Sequence, residues 1–501
     1  MKTVRSQPPA AWRAALGALA TGAGLGVDWG LHGALVQVPF APFALADRIV
    51  RLTPGNIATY MIEHLQHAAK LLLAGGCVAG VVGGGAVIAV LAAQRPARAA
   101  SAFAALALAA GLLAPVGFSA WGSALGAALA GATYGGSLAA LRTLAVGRAR
   151  RASPQPDLAR RRALVRLGEI LVVGGILNAV APLLGTKSGV HLLDFARATG
   201  PRRRPFPSIA GLTPEVTSVA DHYIVDIDVD PPAIDAGSWL LRVGGLVQHR
   251  LALGFDELQR RFDLVSEYAV LTCVSNPVGG PLIGNSLWEG VRLRELLDAA
   301  GAPTRAWGLA VSCADGYTAG IPLAAARHAG SLVAIAQDGQ PLTADHGFPC
   351  RLRVPALYGM LNPKWVTGIH VVDTPFVGYW AQQGWSPTGV VRTESRIDTS
   401  ERAQAGQPTW IAGIAWAGIR GISRVEVSTD AGRSWQPAEL HEPLSPWAWT
   451  QWAYRWTPRA PGGYLLMSRA TDGLGHLQDT RSRPPHPSGA SGYPARTVHV
   501  T

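Results

Sequence analysis

Residues 1–185 contain long apolar stretches interrupted by few charges, and this narrows the folds open to the chain more than any other feature. A backbone in hydrocarbon must satisfy its own N–H and C=O groups, so a run of about 20 apolar residues reads as a spanning helix. Five such runs are readable, at roughly 12–30, 71–93, 100–117, 120–146 and 164–185. Residues 31–47 are apolar too, but Pro39 and Pro42 make them a bend or an interfacial segment. Arginines set the orientation by the positive-inside rule. Arg5 and Arg13, then Arg95 and Arg98, then the cluster from Arg148 to Arg162 all fall on one side of a five-span arrangement. The N-terminus is then cytoplasmic and everything after about residue 186 lies outside. Arg202, Arg203 and Arg204 oppose this assignment, but a long domain translocates regardless of such charge.

Arg161-Arg162 before the fifth run reads equally as a cytoplasmic anchor or as a twin-arginine export signal, which would carry the following domain across already folded. Polar residues inside the spans are sparse, and no acid there marks a transport path. His32, His64 and His67 sit near helix ends, where interfacial placement is the ordinary reading and a haem pair the sharper one. The net charge of +12 does not imply nucleic acid, because membrane-edge arginines explain much of it and no recognition motif is present. Lysine occurs only at Lys2, Lys70, Lys187 and Lys364, which singles out Lys364 in the second half. The four cysteines, Cys77, Cys273, Cys313 and Cys350, form no CxxC, which argues against zinc or a dithiol motif. Cys77 reads as packing, and Cys313 and Cys350 are candidates to pair outside the cell.

After a linker at 186–205 the pattern changes. Residues 206–400 alternate short β-rich runs with Gly/Pro/Asp turns and two helical segments, 255–262 and 293–301, the mark of an α+β domain. Residues 401–501 read as all-β, with spacing that suits an immunoglobulin-like sandwich. The expected organisation is therefore multi-domain, with all-α transmembrane helices over 1–185, an α+β domain and a C-terminal sandwich.

The stretch 267–285 is a strand that delivers one thiol, Cys273, to the mouth of a Pro/Gly loop. Further along, Asp315 and Tyr317 share a turn, and residues 345–365 offer His346, Arg351 and Lys364 in a segment too rich in Pro and Gly for regular structure. Taken singly, each has an ordinary reading: a turn histidine, half of an ion pair, a solvated lysine. Together, one soft thiolate suits a soft metal, while the histidine, cations and backbone amides suit a phosphate and a polar heterocycle. In this order LTCVSNPVGG, DGYTAGIP, DHGFPCRL and YGMLNPKW resemble the molybdopterin-binding domain of the sulfite oxidase family. Residues 401–501 resemble the dimerisation domain that follows it there, and the helical half resembles what precedes it in membrane-bound bacterial members.

The resemblance implies a molybdenum–molybdopterin cofactor with Cys273 as the sulfur ligand. It implies that Asn276, Asp315, His346, Arg351, Asn362, Pro363 and Lys364 hold the pterin and its phosphate, with Tyr223 and Asp226 in a looser first contact stretch. Such a centre passes an oxygen atom to or from a substrate with a two-electron change. One departure bears on the substrate. The family follows its ligand cysteine with Ala-Gly-Asn-Arg-Arg or a similar run whose arginine helps bind sulfite, whereas here the run is Val274-Ser275-Asn276-Pro277-Val278. A neutral S-oxide or N-oxide therefore suits the pocket better than a dianion, with Tyr379, Trp380 and Trp385 as candidate substrate wall and Tyr379 and Trp380 as candidate catalytic residues. With no haem domain, electrons come from the quinone pool or a redox carrier, and the sandwich implies a homodimer. Three competing readings are a sulfite-oxidising enzyme, a non-catalytic membrane-anchored binding protein, and a transporter hinted at by Gly83-Gly84-Gly85.

Overall fold

A computed structural model describes residues 9–35, 38–65, 67–92, 95–112, 120–148, 161–170, 206–399 and 401–501, with isolated positions between 172 and 195. The chain divides into two units. The first takes in Met1–Thr53, Gln66–Ser188 and a short excursion, Asp226–Ala233; the second takes in Pro54–Leu65, Gly189–Val225 and Ile234–Thr501.

Among the described residues, helices α1 (Ala10–Ala34), α2 (Ala41–Leu52), α4 (His67–Ala92), α5 (Pro96–Gly111) and α6 (Ala120–Arg148) belong to the first unit, while α3 (Gly55–Leu65) belongs to the second. Small residues let these helices close on one another. A Cβ at Gly17 would stand 2.4 Å from that of Ala89, and one at Gly131 2.5 Å from that of Ala104. Phe103 stacks on Tyr134 at 4.5 Å, and the Tyr134 hydroxyl donates to Gly85 O at 2.6 Å.

Among the described residues two helices, Ala68–Ala92 and Ala120–Leu144, are long and apolar enough to cross a membrane. The expected third span is α5, which ends at Gly111 after 16 residues, about 24 Å against the ~30 Å of a hydrocarbon core. The expected fifth starts in a helical stretch at 161–170, and most of it lies outside the described residues. The expected bend at 31–47 holds helix α2, with proline in its first turn, where a missing N–H costs nothing. Asp28 is a buried acid in α1, where its carboxylate accepts the Ala41 N–H at the start of α2 at 3.2 Å. The side chains of His64 and His67 lie outside the described residues.

The excursion Asp226–Ala233 is a strap of alternating acids. Side chains two apart in an extended chain share a face, and here each acid meets its own cation. Lys70 pairs with Asp226 and donates to Asp228 O, Arg51 pairs with Asp228 at 2.7 Å, and His32 meets Asp230 at 2.8 Å. The backbone N–H of Val229 donates to Asp47 at 2.6 Å.

The second unit has four sheets. In one, strands run in the order Leu251–Gly254, Leu240–Gly245, Val366–Val372, Gly308–Cys313, Thr318–Pro322. In another, Leu264–Thr272, Ile283–Arg292, Leu332–Gln337 and Gln340–Pro341 follow in sequence, with the short strand Arg351–Arg353 paired onto Leu332–Gln337. Helices at Phe255–Arg261 and Leu293–Ala299 meet the expected positions. From Glu394 onward the chain is all-β, in a four-stranded and a five-stranded sheet over a shared core of Ile411, Val425, Trp452, Leu466 and Val498.

Candidate active site

The strand Leu264–Thr272 pairs antiparallel with Ile283–Arg292, and residues 273–282 form the tip between them. The tip holds itself shut with its own bonds. Cys273 N–H donates to Leu282 O at 2.9 Å, Asn276 N–H to Cys273 O at 3.1 Å, and Gly280 N–H to Pro277 O at 2.9 Å. The Asn276 side chain accepts Leu282 N–H at 2.9 Å, and Gly279 takes the positive φ that the turn needs. Cys273 is thereby fixed and buried, its Sγ 2.9 Å from the Ser275 hydroxyl. Burial pushes its thiol up, so a metal that takes the sulfur must displace the proton.

Facing the same region is a cationic cradle. Arg351 and Arg353 sit two apart on one strand, so their side chains share a face. Both are fully buried. Arg351 donates to His346 O and Asn362 O, each at 3.1 Å, and lies 5.1 Å over the Trp288 ring. Arg353 donates to Asn362 Oδ1 and to Val270 O. Neither pairs with a carboxylate among the described residues, and both Nε atoms are without partners there. Burial lowers Arg351 to about 10 and Arg353 to about 9. His222 stacks on Tyr223 and meets Trp288 and His346 edge-on. Burial, with His346 and Arg351 nearby, takes His222 down to about 3, and burial with Arg351 takes His346 to about 4, so both rings are neutral. His222 Nε2 and the Tyr223 hydroxyl are also buried without partners.

Glycines make the room. A Cβ at Gly359 would stand 2.8 Å from the Tyr223 hydroxyl and 3.9 Å from Cys273 Cα; one at Gly284 would strike the His222 ring at 2.8 Å. Four orphaned polar atoms, two of them on uncompensated buried guanidinium groups, gather beside a buried thiol. Buried charges are ordinarily paired, so this donor set fits a buried anion with polar ring atoms, as a pterin phosphate carrying a thiol-ligated metal would present.

The other expected residues divide. Asn276 and Tyr223 lie beside Cys273, and His346 and Arg351 sit in the cradle. Asn362 spends its side chain on the backbone, accepting Val354 N–H at 2.5 Å and donating to Leu357 O and Tyr358 O, while its own carbonyl serves Arg351. Pro363 accepts Leu352 N–H. Lys364 donates to Asp345 O at 2.8 Å and lies over the Trp365 ring. Asp315 accepts Tyr317 N–H at 2.9 Å within its turn. Asp226 pairs with Lys70 in the strap. Tyr379 lies 5.8 Å from the Tyr317 ring, and Trp380 lines a pocket with Tyr317, Met360, Leu361 and Phe376. Trp385 is a buried core residue against His486, not a wall. The expected candidate pair Cys313 and Cys350 forms no disulfide. The sequence reading missed His222, Trp288, Arg353 and Glu394; only Arg353 had a usable signal, the two-residue period from Arg351.

A family model for the oxidoreductase molybdopterin binding domain matches residues 228–380, and one for the Mo-co oxidoreductase dimerisation domain matches 388–481. Sulfite oxidase of Gallus gallus is 30% identical over 296 residues, covering 49% of this chain and 64% of its own. A putative protein-methionine-sulfoxide reductase subunit of Azospira oryzae is 36% identical over 155 residues, 30% of this chain and 56% of its own. An uncharacterized oxidoreductase of Bacillus subtilis is 32% identical over 155 residues, 31% of this chain and 76% of its own. The chain thus spans somewhat under two thirds of the first two relatives. The sulfane dehydrogenase SoxCD of Paracoccus pantotrophus shares the fold, with a TM-score of 0.51 at 24% identity over 58% of this chain and 84% of that one.

Proposed function

The chain belongs to the sulfite oxidase family of molybdopterin oxidoreductases, and from that premise we propose that it reduces a neutral S-oxide or N-oxide, anchored in a membrane by its N-terminal helices with the catalytic domain on the outer side. The cofactor of the family is molybdenum–molybdopterin. When bound, it supplies a two-electron redox change coupled to oxygen-atom transfer.

The chain's own groups divide the remaining work. Cys273 holds the metal through sulfur. Arg351 and Arg353 neutralise the phosphate, and His222, Tyr223 and His346 offer neutral ring and hydroxyl contacts to the pterin. Tyr317, Met360 and Trp380 shape an apolar wall that excludes water from a small substrate.

The observation that carries the choice of substrate is the loop after Cys273. It supplies no cation; Arg392 donates to Ser488 O at 2.9 Å, Arg396 is held by Asp398 at 2.6 Å and by Thr213 at 2.7 Å, and Arg351 and Arg353 are the cations assigned to the cofactor phosphate. A dianion entering here gains little, whereas a neutral oxide forgoes nothing. The Azospira relative, named for sulfoxide reduction, supports the same reading. Electrons reach the site from a quinol or a small redox carrier, and the C-terminal domain joins two copies into a homodimer.

The test uses detergent-purified full-length protein from a host that makes the cofactor, with Cys273→Ser alongside. Reduced viologen drives reduction of dimethyl sulfoxide, methionine sulfoxide or trimethylamine N-oxide, and ferricyanide accepts electrons from sulfite. Oxide reduction should exceed sulfite oxidation in kcat/KM by about 100-fold, the discrimination expected of about 3 kcal/mol of missing charge stabilisation. In Cys273→Ser both should vanish while the fold persists. Faster sulfite oxidation would assign the chain to the sulfite-oxidising branch instead.

A further inference from the structure

Reducing an S-oxide consumes protons as well as electrons. The S–O bond breaks, sulfur gains two electrons, and oxygen leaves as water with two protons. A reductant such as reduced viologen supplies the electrons, but the protons must arrive through the protein. The loop after Cys273 carries no ionisable side chain from Val274 to Val278. His222 and His346 are neutral, and burial pushes Tyr223, Tyr317 and Tyr358 above the ordinary phenol range.

Glu394 differs from all of these. It opens the strand Glu394–Ile397, inside the span matched by the dimerisation model, yet it reaches the catalytic loop. Its Oε2 stands 3.5 Å from Asn276 Nδ2, three residues beyond Cys273, and its Oε1 is buried with no hydrogen-bond partner among the described residues. Tyr223 and Tyr358 each lie within electrostatic reach of both Cys273 and Glu394. The carboxyl lines a small cleft with Asn276, Gly279, Gly280, Arg396 and Trp416. The glycines keep that cleft clear, for a Cβ at Gly280 would stand 2.6 Å from Asn276 Oδ1. Burial raises Glu394 to about 7 against the opposing pull of Arg396. The charged and titratable groups facing it are thus Arg396 on its own strand, Tyr223 and Tyr358.

We infer that Glu394, contributed by the C-terminal domain, is the proton-supplying residue of the Cys273 site, delivering a proton from the cleft to the departing oxygen. This rests on the oxide-reduction reading above. A buried carboxyl whose proton affinity is raised by desolvation is suited to giving and regaining a proton each turnover.

The experiment compares full-length holoenzyme with Glu394→Gln and Glu394→Asp, using reduced viologen and dimethyl sulfoxide across pH 5–9. The amide variant should lose about 100-fold in kcat with KM little changed and molybdenum content intact, and its rate should no longer fall through neutral pH. The aspartate variant should retain most activity with a displaced alkaline limb. Separately, difference infrared spectroscopy of the cofactor-free wild type should show a protonated carboxyl that titrates near neutrality and is missing from Glu394→Gln. Unchanged rate and pH profile in the variants, or no such carboxyl in the wild type, overturns the assignment. Should Glu394→Gln fail to fold, the limb in Glu394→Asp and the wild-type titration still decide. A wild type that reduces no oxide defeats the substrate reading alone, since the infrared titration judges Glu394 independently.

Discussion

Replacing Arg351 by methionine separates what the cradle does for the fold from what it does for the cofactor. Burial holds this guanidinium at about 10, two to three powers of ten below an exposed one, which corresponds to roughly 3 kcal/mol of unrecovered desolvation. Against that stand two charge-assisted bonds to His346 O and Asn362 O, each worth about 1.5–3 kcal/mol. The bonds outweigh the desolvation by about 0–3 kcal/mol, and an unbranched methionine that fills much of the vacated volume offsets part of that. Cofactor-free Arg351→Met should therefore stay within about 2 kcal/mol of wild type in denaturant unfolding. The holoenzyme should behave otherwise. Leaving a buried phosphate without its cation costs about 3–5 kcal/mol, or roughly 10²–10⁴-fold in retention. Molybdenum and pterin content after dialysis, and titration of apo-protein with extracted cofactor, measure this directly. Undiminished cofactor retention would show that Arg351 does not face the phosphate. A loss well beyond 4 kcal/mol in the apo-protein would show instead that it is a structural strut.

Three further outcomes follow from other contacts. Arg51→Met alone should destabilise the helical unit by about 3–5 kcal/mol by stranding the buried Asp228, while adding Asp228→Leu should recover most of it, read by unfolding in detergent as a double-mutant cycle; simple additivity would refute the pairing. His222 and His346 are depressed in the folded state to about 3 and about 4, so the stability they confer is full above their ordinary range near 6.5 and is lost as pH falls toward those values. His222→Phe should flatten that acid limb in cofactor-free protein, and an unaltered limb would contradict the buried neutral ring. Val278→Arg should shift kcat/KM toward sulfite by about 10-fold relative to oxides, and no shift would mean that the loop does not set substrate charge.

The neighbourhood of Cys273 and Arg351 is legible as a candidate site because a short ordered set of motifs brackets both residues. The all-β C-terminal domain was legible from its two-residue period. Arg353 follows from Arg351 by the same two-residue period, since both side chains fall on one strand face. The pairing of Asp226 with Lys70 spans 156 residues, and local sequence carries no trace of so distant a contact. Glu394 was hidden similarly, because it approaches the catalytic loop from the next domain. Asn362 looked like a ligand contact because its stretch is dense in polar and constrained residues, yet its side chain is consumed by the turn it stabilises. Helix α2 was passed over because its prolines read as breakers, when one of them occupies a first turn.

The acidic strap bears on how this protein is made and how it can be divided. Ribosomes deliver Arg51 and Lys70 long before Asp226, Asp228 and Asp230, so the helical unit waits with unneutralised cations until some 160 more residues have been synthesised. A gene cut at the sequence-evident boundary near 206 would freeze both halves in that unfinished condition. The helical piece would keep its cations without their counterions, and the soluble piece would begin close to three aspartates with nothing to hold. A cut that respects the charges has to leave residues 226–233 with the helices, and the chain's own connectivity forbids that without breaking the catalytic half as well.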